Sequence, residues 1–373
     1  MISRIQQLYA LGQAIWLDDL SRDLIQSGDL GRLVDEGVAG VTTNPTIFAR
    51  AIGTGRTYDT AITQLARLGR NTLQIYEALV IEDVVAAADV LRPVFNETHG
   101  RDGFVSLEVR PALADDTNGT VEEGRRLFHA LDRPNVMIKV PATEAGLPAV
   151  ATLIGEGINV NATLIFSVAR YERVINAYLE GLRRFQETHR PISSVSSVAS
   201  FFVSRIDTFV DALLGARIAR GDDHFDDLLG EAGIAWCKVA YSKYKESFEG
   251  DRFAPFRAAG ARMQRPLWAS TSTKDPAYLD TKYVDALIGV NTVNTTPPTT
   301  LAALRDHGVV AQTLEQELPR AHSVLRRLFE LGIDLEVVAD QLLRDGVRIF
   351  AESFDKLLAT IEAKRTALAA APT

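Results

Sequence analysis

Short apolar runs alternate with longer amphipathic stretches along most of this chain. Eight runs read as strands: 14–17, 38–43, 103–109, 136–140, 157–166, 195–202, 266–271 and 284–290. Between them, 2–11, 21–34, 57–68, 71–96, 121–131, 167–184 and 300–306 read as helices. The stretch 71–96 shows the pattern best, with Leu73, Ile75, Tyr76, Leu79, Val80 and Val84 at helical spacing. Gly28 interrupts the second helix, Pro93 marks a break near the end of 71–96, and Ser167 is the expected N-cap of 167–184. Strand and helix alternating eight times predict a parallel sheet closed on itself, an α/β fold of the (β/α)8 TIM-barrel type. The barrel strands fall within 14–298. The stretch 313–368 carries apolar faces (Leu325, Leu328, Phe329, Leu342, Ile349, Phe350, Leu357) and predicts two or three helices packed over the barrel. The expected architecture is one domain over 1–373 with additional N-terminal and C-terminal helices and a frayed tail at 369–373.

Polar residues collect where the strands end: Asp18, Asn44, Glu108, Lys139, Asn161, Thr163, Ser200 and Ser270. In a (β/α)8 barrel the active site lies at that face, so these groups are expected to converge. Lys139 is the most telling. It is the first lysine in the chain, set within the apolar run Val136-Met137-Ile138-Lys139-Val140. Burying an ammonium group without a partner is costly and disfavours the charged form. A neutral amine is the nucleophile that forms a Schiff base with a carbonyl. Taken alone, Lys139 could equally be a strand-end lysine reaching water or a carboxylate; the convergence of strand ends weighs against that.

The other candidates also have plainer readings. Asp18 and Asp19 could cap the next helix; strand alternation lets only one of them face the site. Asn44-Pro45 also suits a turn. Glu108 could pair with Arg110 two residues on. Asn159, Asn161 and Thr163 share one strand face, and Ser200 and Ser270 could simply fill space.

Composition narrows the function. The chain has 373 residues, 46% of them hydrophobic and 24% charged, which suits a large core. A net charge of -8 disfavours nucleic acid as the main partner. Cys237 is the sole cysteine, so no internal disulfide or cysteine-based metal cluster is possible. It suits a reducing cytoplasm, and its place in a helical stretch marks it as structural. Residues 1–8 lack a signal-peptide core, and no run is long and apolar enough to span a bilayer. The six histidines show no metal-ligand spacing. No metal and no cofactor are expected. Gly53-Thr54-Gly55 lacks the strand and the Lys-Ser/Thr ending of a phosphate loop.

Three motifs carry a family resemblance. Gly40-Val41-Thr42-Thr43-Asn44-Pro45-Thr46-Ile47-Phe48 resembles the transaldolase signature at the second strand. Ile138-Lys139-Val140-Pro141-Ala142-Thr143-Glu144-Ala145-Gly146-Leu147 resembles that family's active-site lysine signature. Gly157-Ile158-Asn159-Val160-Asn161-Ala162-Thr163-Leu164-Ile165-Phe166-Ser167 is a third match in the right order. The resemblance covers about 14–298, and the longer chain with Trp16-Leu17-Asp18-Asp19 is similar to the actinobacterial-type branch. It implies transfer of a dihydroxyacetone unit between sugar phosphates: sedoheptulose 7-phosphate and glyceraldehyde 3-phosphate give erythrose 4-phosphate and fructose 6-phosphate, a pentose phosphate pathway step.

By the same resemblance Lys139 is the Schiff-base nucleophile and Asp18 the acid/base of carbon–carbon cleavage. Glu108 and Thr163 hold a catalytic water, and Asn161 steadies the intermediate. Thr42 and Asn44 bind substrate. Ser200, Arg205 and Ser270 bind donor and phosphate. Where better-known members carry an arginine, this chain has Ser272, so Lys274 is the candidate for the missing charge. Two rivals stand beside this reading. One is a Schiff-base aldolase that releases free dihydroxyacetone, against which Glu108 and Phe202 stand where that branch resembles glutamine and tyrosine. The other is a non-catalytic sugar-phosphate-binding barrel. The expected partners are small sugar phosphates, with no nucleic acid and no membrane; monomer and homodimer are both open, and the expected location is the cytoplasm.

Overall fold

A computed structural model of the chain describes residues 2–221 and 225–370. Its centre is a closed barrel of eight parallel strands in sequence order: β1 Gln13–Leu17, β2 Gly40–Thr42, β3 Phe104–Glu108, β4 Val136–Pro141, β5 Val160–Ile165, β6 Ser197–Phe202, β7 Arg265–Ala269 and β8 Thr292–Thr296. β8 pairs with β1 and closes the ring. Every strand residue is buried, because helices cover the outside and side chains fill the inside. The expected barrel class is thus observed.

The interior changes character along the barrel axis. Near the amino ends of the strands Trp16 and Phe104 meet with ring centres 6.3 Å apart. Gly40 makes room for them: a Cβ there would lie 2.5 Å from the Trp16 ring. Buried Asp102 accepts from Trp16 Nε1 at 3.1 Å and pairs with Arg265 at 2.8 Å, tying this end shut. At the carboxyl ends the inward positions turn polar. Register aligns Glu108 with Lys139 and Lys139 with Asn161, so the three share the interior face.

Four expectations need correcting. The apolar run 284–290 is not the eighth strand. Its first part belongs to the helix Lys282–Asp285, and β8 begins at Thr292. Val284, Leu287 and Ile288 are buried at helix-like spacing, whereas Thr292-Val293-Asn294-Thr295-Thr296 has four polar residues, of which Thr295 alone lines the site cavity. Pro93 does not break its helix, which runs Thr72–Glu97. The ring is exposed and only four residues from the end, where water can serve the carbonyl that loses its donor. A helix at Pro45–Gly53 escaped the periodicity reading. Asn44 accepts a capping bond from Ile47 N and Pro45 occupies the first turn, so the apparent turn signal is a helix start. Phe329 contributes no apolar face, being 67% exposed. The expected Ser167 cap is observed, accepting from Arg170 N at 2.9 Å.

Two helices end the chain. Leu318–Glu330 packs on the helix Ala232–Glu249 at the barrel's flank, and the 36-residue helix Leu335–Ala370 packs on Pro45–Gly53, Asp59–Arg67 and Thr72–Glu97. The second places Phe350 over the barrel mouth and buries Leu357 and Ile361 completely. Of the expected frayed tail, 371–373 lies outside the described residues. Among the described residues no helix is long and apolar enough to cross a membrane.

Candidate active site

Lys139 projects from β4 into the barrel mouth and is 4% exposed. Its Nζ donates to the Thr43 carbonyl at 3.1 Å and lies 3.5 Å from Glu108 Oε2. The Phe350 ring centre is 5.7 Å away. The Glu108 carboxylate has no hydrogen-bond partner among the described residues at either oxygen. Burial raises its pKa from 4.5 to about 7, with the Lys139 charge opposing the rise. A buried carboxyl titrating near neutrality beside a lysine is suited to exchanging protons with it. Arg110, the alternative partner, instead pairs with Glu123.

Asp18 follows β1, its amide bonded to Thr296 O at 2.8 Å. Thr42 Oγ1 donates to Asp18 Oδ1 at 2.8 Å and also meets Thr295 Oγ1 at 2.6 Å. Burial raises the Asp18 pKa, while Lys139 and the Thr42 hydrogen bond pull it down. Asp19 turns away to pair with Arg50. Strand alternation therefore puts one carboxylate into the site and the other on the rim.

Asn161 is held from both sides. Its Nδ2 donates to Ser106 Oγ at 3.1 Å, and its Oδ1 accepts from Ser200 Oγ at 2.6 Å. Ser200 thus orients Asn161, and Ser106 is a supporting residue the sequence reading missed. Asn159, on the same strand face in sequence, bonds to the Pro134 and Val136 carbonyls and stays out of the site. Thr163 Oγ1 is buried without a hydrogen-bond partner among the described residues. It sits at a register shift between Ala162 and Ile165, where Leu164 adopts a φ of 59°. Bulges of this kind re-aim side chains beside active sites.

The far wall is cationic. The Arg205 guanidinium lies 5.5 Å from the centre of the Phe202 ring. Lys274 Nζ donates to Ser272 Oγ at 2.7 Å. Burial, then the nearby Arg205 charge, lowers the Lys274 pKa, and burial lowers that of Arg205. Neither forms an ion pair among the described residues. Two like charges held close, neither in an ion pair, would favour an anion between them. Ser270, with a φ of 55°, meets Ser204 Oγ at 2.9 Å beside them. Ser204 also went unnoticed in sequence.

One cavity of about 330 Å³ joins these groups. Asp18, Thr42, Asn44, Lys139, Thr163, Ser200, Arg205, Ser270 and Lys274 all line it; Glu108 and Asn161 stand behind Lys139 and support it. Asn44 does two jobs, capping the helix Pro45–Gly53 and facing the cavity. Thr295 and Phe350 also line the cavity and were not foreseen. Thr295 lay beyond the misplaced eighth strand, and Phe350 is an unremarkable apolar residue of a helix some two hundred residues after the lysine.

Comparison with known proteins agrees with this geometry. Residues 15–361 match the family described as transaldolase/fructose-6-phosphate aldolase. The chain is 45% identical to Transaldolase 2 of Nostoc sp., over 97% of this chain and 98% of that one. It is 46% identical to Transaldolase 2 of Streptomyces coelicolor, covering 99% of both. It is 45% identical to the transaldolase of Mycobacterium leprae, covering 96% and 97%. With a matched family spanning the whole barrel and relatives aligned nearly end to end, the chain belongs to the transaldolase/fructose-6-phosphate aldolase family.

Proposed function

We propose that this enzyme, a transaldolase by its family and its full-length relatives, works through a Schiff base on Lys139. The observation that carries the reading is a buried lysine between a backbone carbonyl and a neutral-range carboxyl, facing Asp18 across a cavity with a cationic wall. The ketose phosphate enters with its phosphate on Arg205, Lys274 and Ser270 and its carbonyl at Lys139. The amine adds to the carbonyl, and loss of water gives a protonated Schiff base. Glu108, with Thr163 and a water, takes and returns the protons of that step. Asp18 takes the hydroxyl proton as the carbon–carbon bond breaks; the rest of the donor leaves as an aldehyde phosphate, and the electrons flow to the iminium as an enamine. The acceptor aldehyde then reacts with the enamine and recovers the proton from Asp18. Asn161, held by Ser106 and Ser200 behind Lys139, steadies the intermediate, and Asn44 and Thr42 hold substrate hydroxyls.

Two carboxyls in different settings serve two roles. Glu108 has the Lys139 ammonium at 3.5 Å as the partner of its charge, whereas Asp18 accepts a hydrogen bond from Thr42. The substrates are sugar phosphates, the step belongs to the pentose phosphate pathway, and the enzyme acts in the cytoplasm, where its buried Cys237 thiol stays reduced. Borohydride trapping with fructose 6-phosphate, followed by peptide mapping, tests the reading. A reduced three-carbon adduct on Lys139 is expected. Bound substrate with no adduct refutes the lysine assignment. Turnover that needs an aldehyde acceptor supports transfer, and free dihydroxyacetone at the same rate without one supports the aldolase rival.

A further inference from the structure

The opposite mouth of the barrel holds a second cavity, of about 250 Å³, at the amino ends of the strands. Its walls are apolar: Met137 of β4, Val198 of β6, and Phe253 and Met263 from the segment leading into β7. Its rim is Arg101, Arg257, Arg262 and Arg265, and no carboxylate lines it. Arg265 is neutralised by buried Asp102 at 2.8 Å. The other three have only neutral acceptors. Arg101 donates to Asn291 Oδ1 at 3.0 Å; Arg262 donates to Ser196 Oγ at 2.9 Å and to the His99 carbonyl at 2.5 Å; Arg257 donates to the Phe248 carbonyl. None of the three forms an ion pair among the described residues.

Some exposed arginines elsewhere pair with carboxylates, as Arg125 does with Glu156 and Arg126 with Glu77, and others, such as Arg56 and Arg67, form no ion pair among the described residues; here three without one stand around a single concavity. In a chain of net charge -8, three uncompensated guanidiniums around one concavity create a local positive field that an anion relieves. Arg262 is half-buried, and burial together with the neighbouring Arg265 charge disfavours its protonated form, so the cluster carries a cost in the free protein. A guanidinium has five N–H donors. The bonds to protein leave donors on each side chain for a ligand. The apolar walls add a second requirement. A bare inorganic ion would leave the part-exposed Ala261 and Met263 uncovered, whereas a ligand with an apolar body would cover them.

We propose that this mouth binds a small organic phosphate, phosphate on Arg101, Arg257 and Arg262 and apolar body against Ala261 and Met263, at a site separate from the catalytic cavity. Adenosine monophosphate is the probe, since it combines one phosphate with a planar base. Its binding is measured by calorimetry on the intact protein, on the double variant Arg101→Ala/Arg257→Ala, and on Arg205→Ala. Arg101 and Arg257 are exposed, so their removal leaves the core alone. The expected result is saturable binding weakened at least tenfold in the double variant and unchanged in Arg205→Ala. Inorganic phosphate is expected to bind this mouth at least tenfold more weakly than the nucleotide. Absence of saturable binding, or binding that the double variant keeps, overturns the proposal. Binding that Arg205→Ala abolishes assigns the nucleotide to the catalytic cavity and overturns it too. Equal binding of inorganic phosphate refutes the role of the apolar walls. None of these outcomes depends on the chemistry at Lys139, so failure here and failure of the Schiff-base reading are separable.

Discussion

The Glu108 carboxyl offers the sharpest test of the site's electrostatics. Burial lifts it from 4.5 to about 7 with neither oxygen hydrogen-bonded and Lys139 only 3.5 Å away. Moving a carboxyl that far is worth about 3 kcal/mol. The sign follows from linkage. A carboxyl whose folded pKa is raised stabilises the fold fully below about 4.5, and that contribution is lost as pH rises through about 7. Glu108→Gln removes the titration. Between about pH 4.5 and pH 8 the variant should therefore gain about 3 kcal/mol of stability relative to wild type, read by denaturant unfolding at each pH. Activity should move the other way. If ionised Glu108 accepts the proton in Schiff-base formation, kcat/KM of the wild type falls about tenfold from pH 8 to pH 6, following the ionised fraction around 7. Glu108→Gln should lose this limb and about a hundredfold or more of the rate. A variant that keeps an acid limb near 7 would refute the assignment and point to Asp18, the carboxyl lining the cavity that burial also raises; Asp18→Asn is the control.

The remaining predictions concern the covering helix and the barrel filling. Phe350 is 4% exposed and stands over Lys139, so Phe350→Ala should admit water to the enamine. Release of dihydroxyacetone without acceptor should rise by on the order of tenfold relative to transfer, consistent with loss of a shielding contact of ~1–2 kcal/mol; an unchanged ratio of the two rates would exclude a shielding role. At Gly40 an added Cβ lies 2.5 Å from the Trp16 ring, and both are held inside a closed ring. Gly40→Ala should therefore cost about 1–3 kcal/mol, seen as a lower melting temperature, and a variant as stable as wild type would mean the interior is looser than described.

Much of the architecture was legible in sequence because it rests on local periodicity. Seven of the eight strands lie where apolar runs predicted them, since a strand buried on both faces must be apolar. The eighth failed for the same reason. β8 shows no apolar run because four of its five residues are polar, Thr295 among them meeting Thr42 in the site, while the neighbouring apolar run begins in a short helix that ends at Asp285. The helix at Pro45–Gly53 was missed because cap and turn share one vocabulary: Asn44-Pro45 reads as either until the next turn is seen to close.

The chain itself determined which chemical groups stand at strand ends, because alternation and strand polarity are properties of the local backbone. A lysine in an apolar strand and an aspartate after another are visible without any coordinates. Only the tertiary structure decided which groups meet. Closure of the ring brought Asp18 and Thr295 to Thr42 and set Lys139 between Thr43 and Glu108. Packing of the last helix brought Phe350 over Lys139, and a bulge at Leu164 aimed Thr163. These contacts join residues dozens to hundreds of positions apart, and no local pattern encodes them. Burial set the carboxyl affinities in the same way, since desolvation depends on everything packed around a group rather than on its neighbours in the chain.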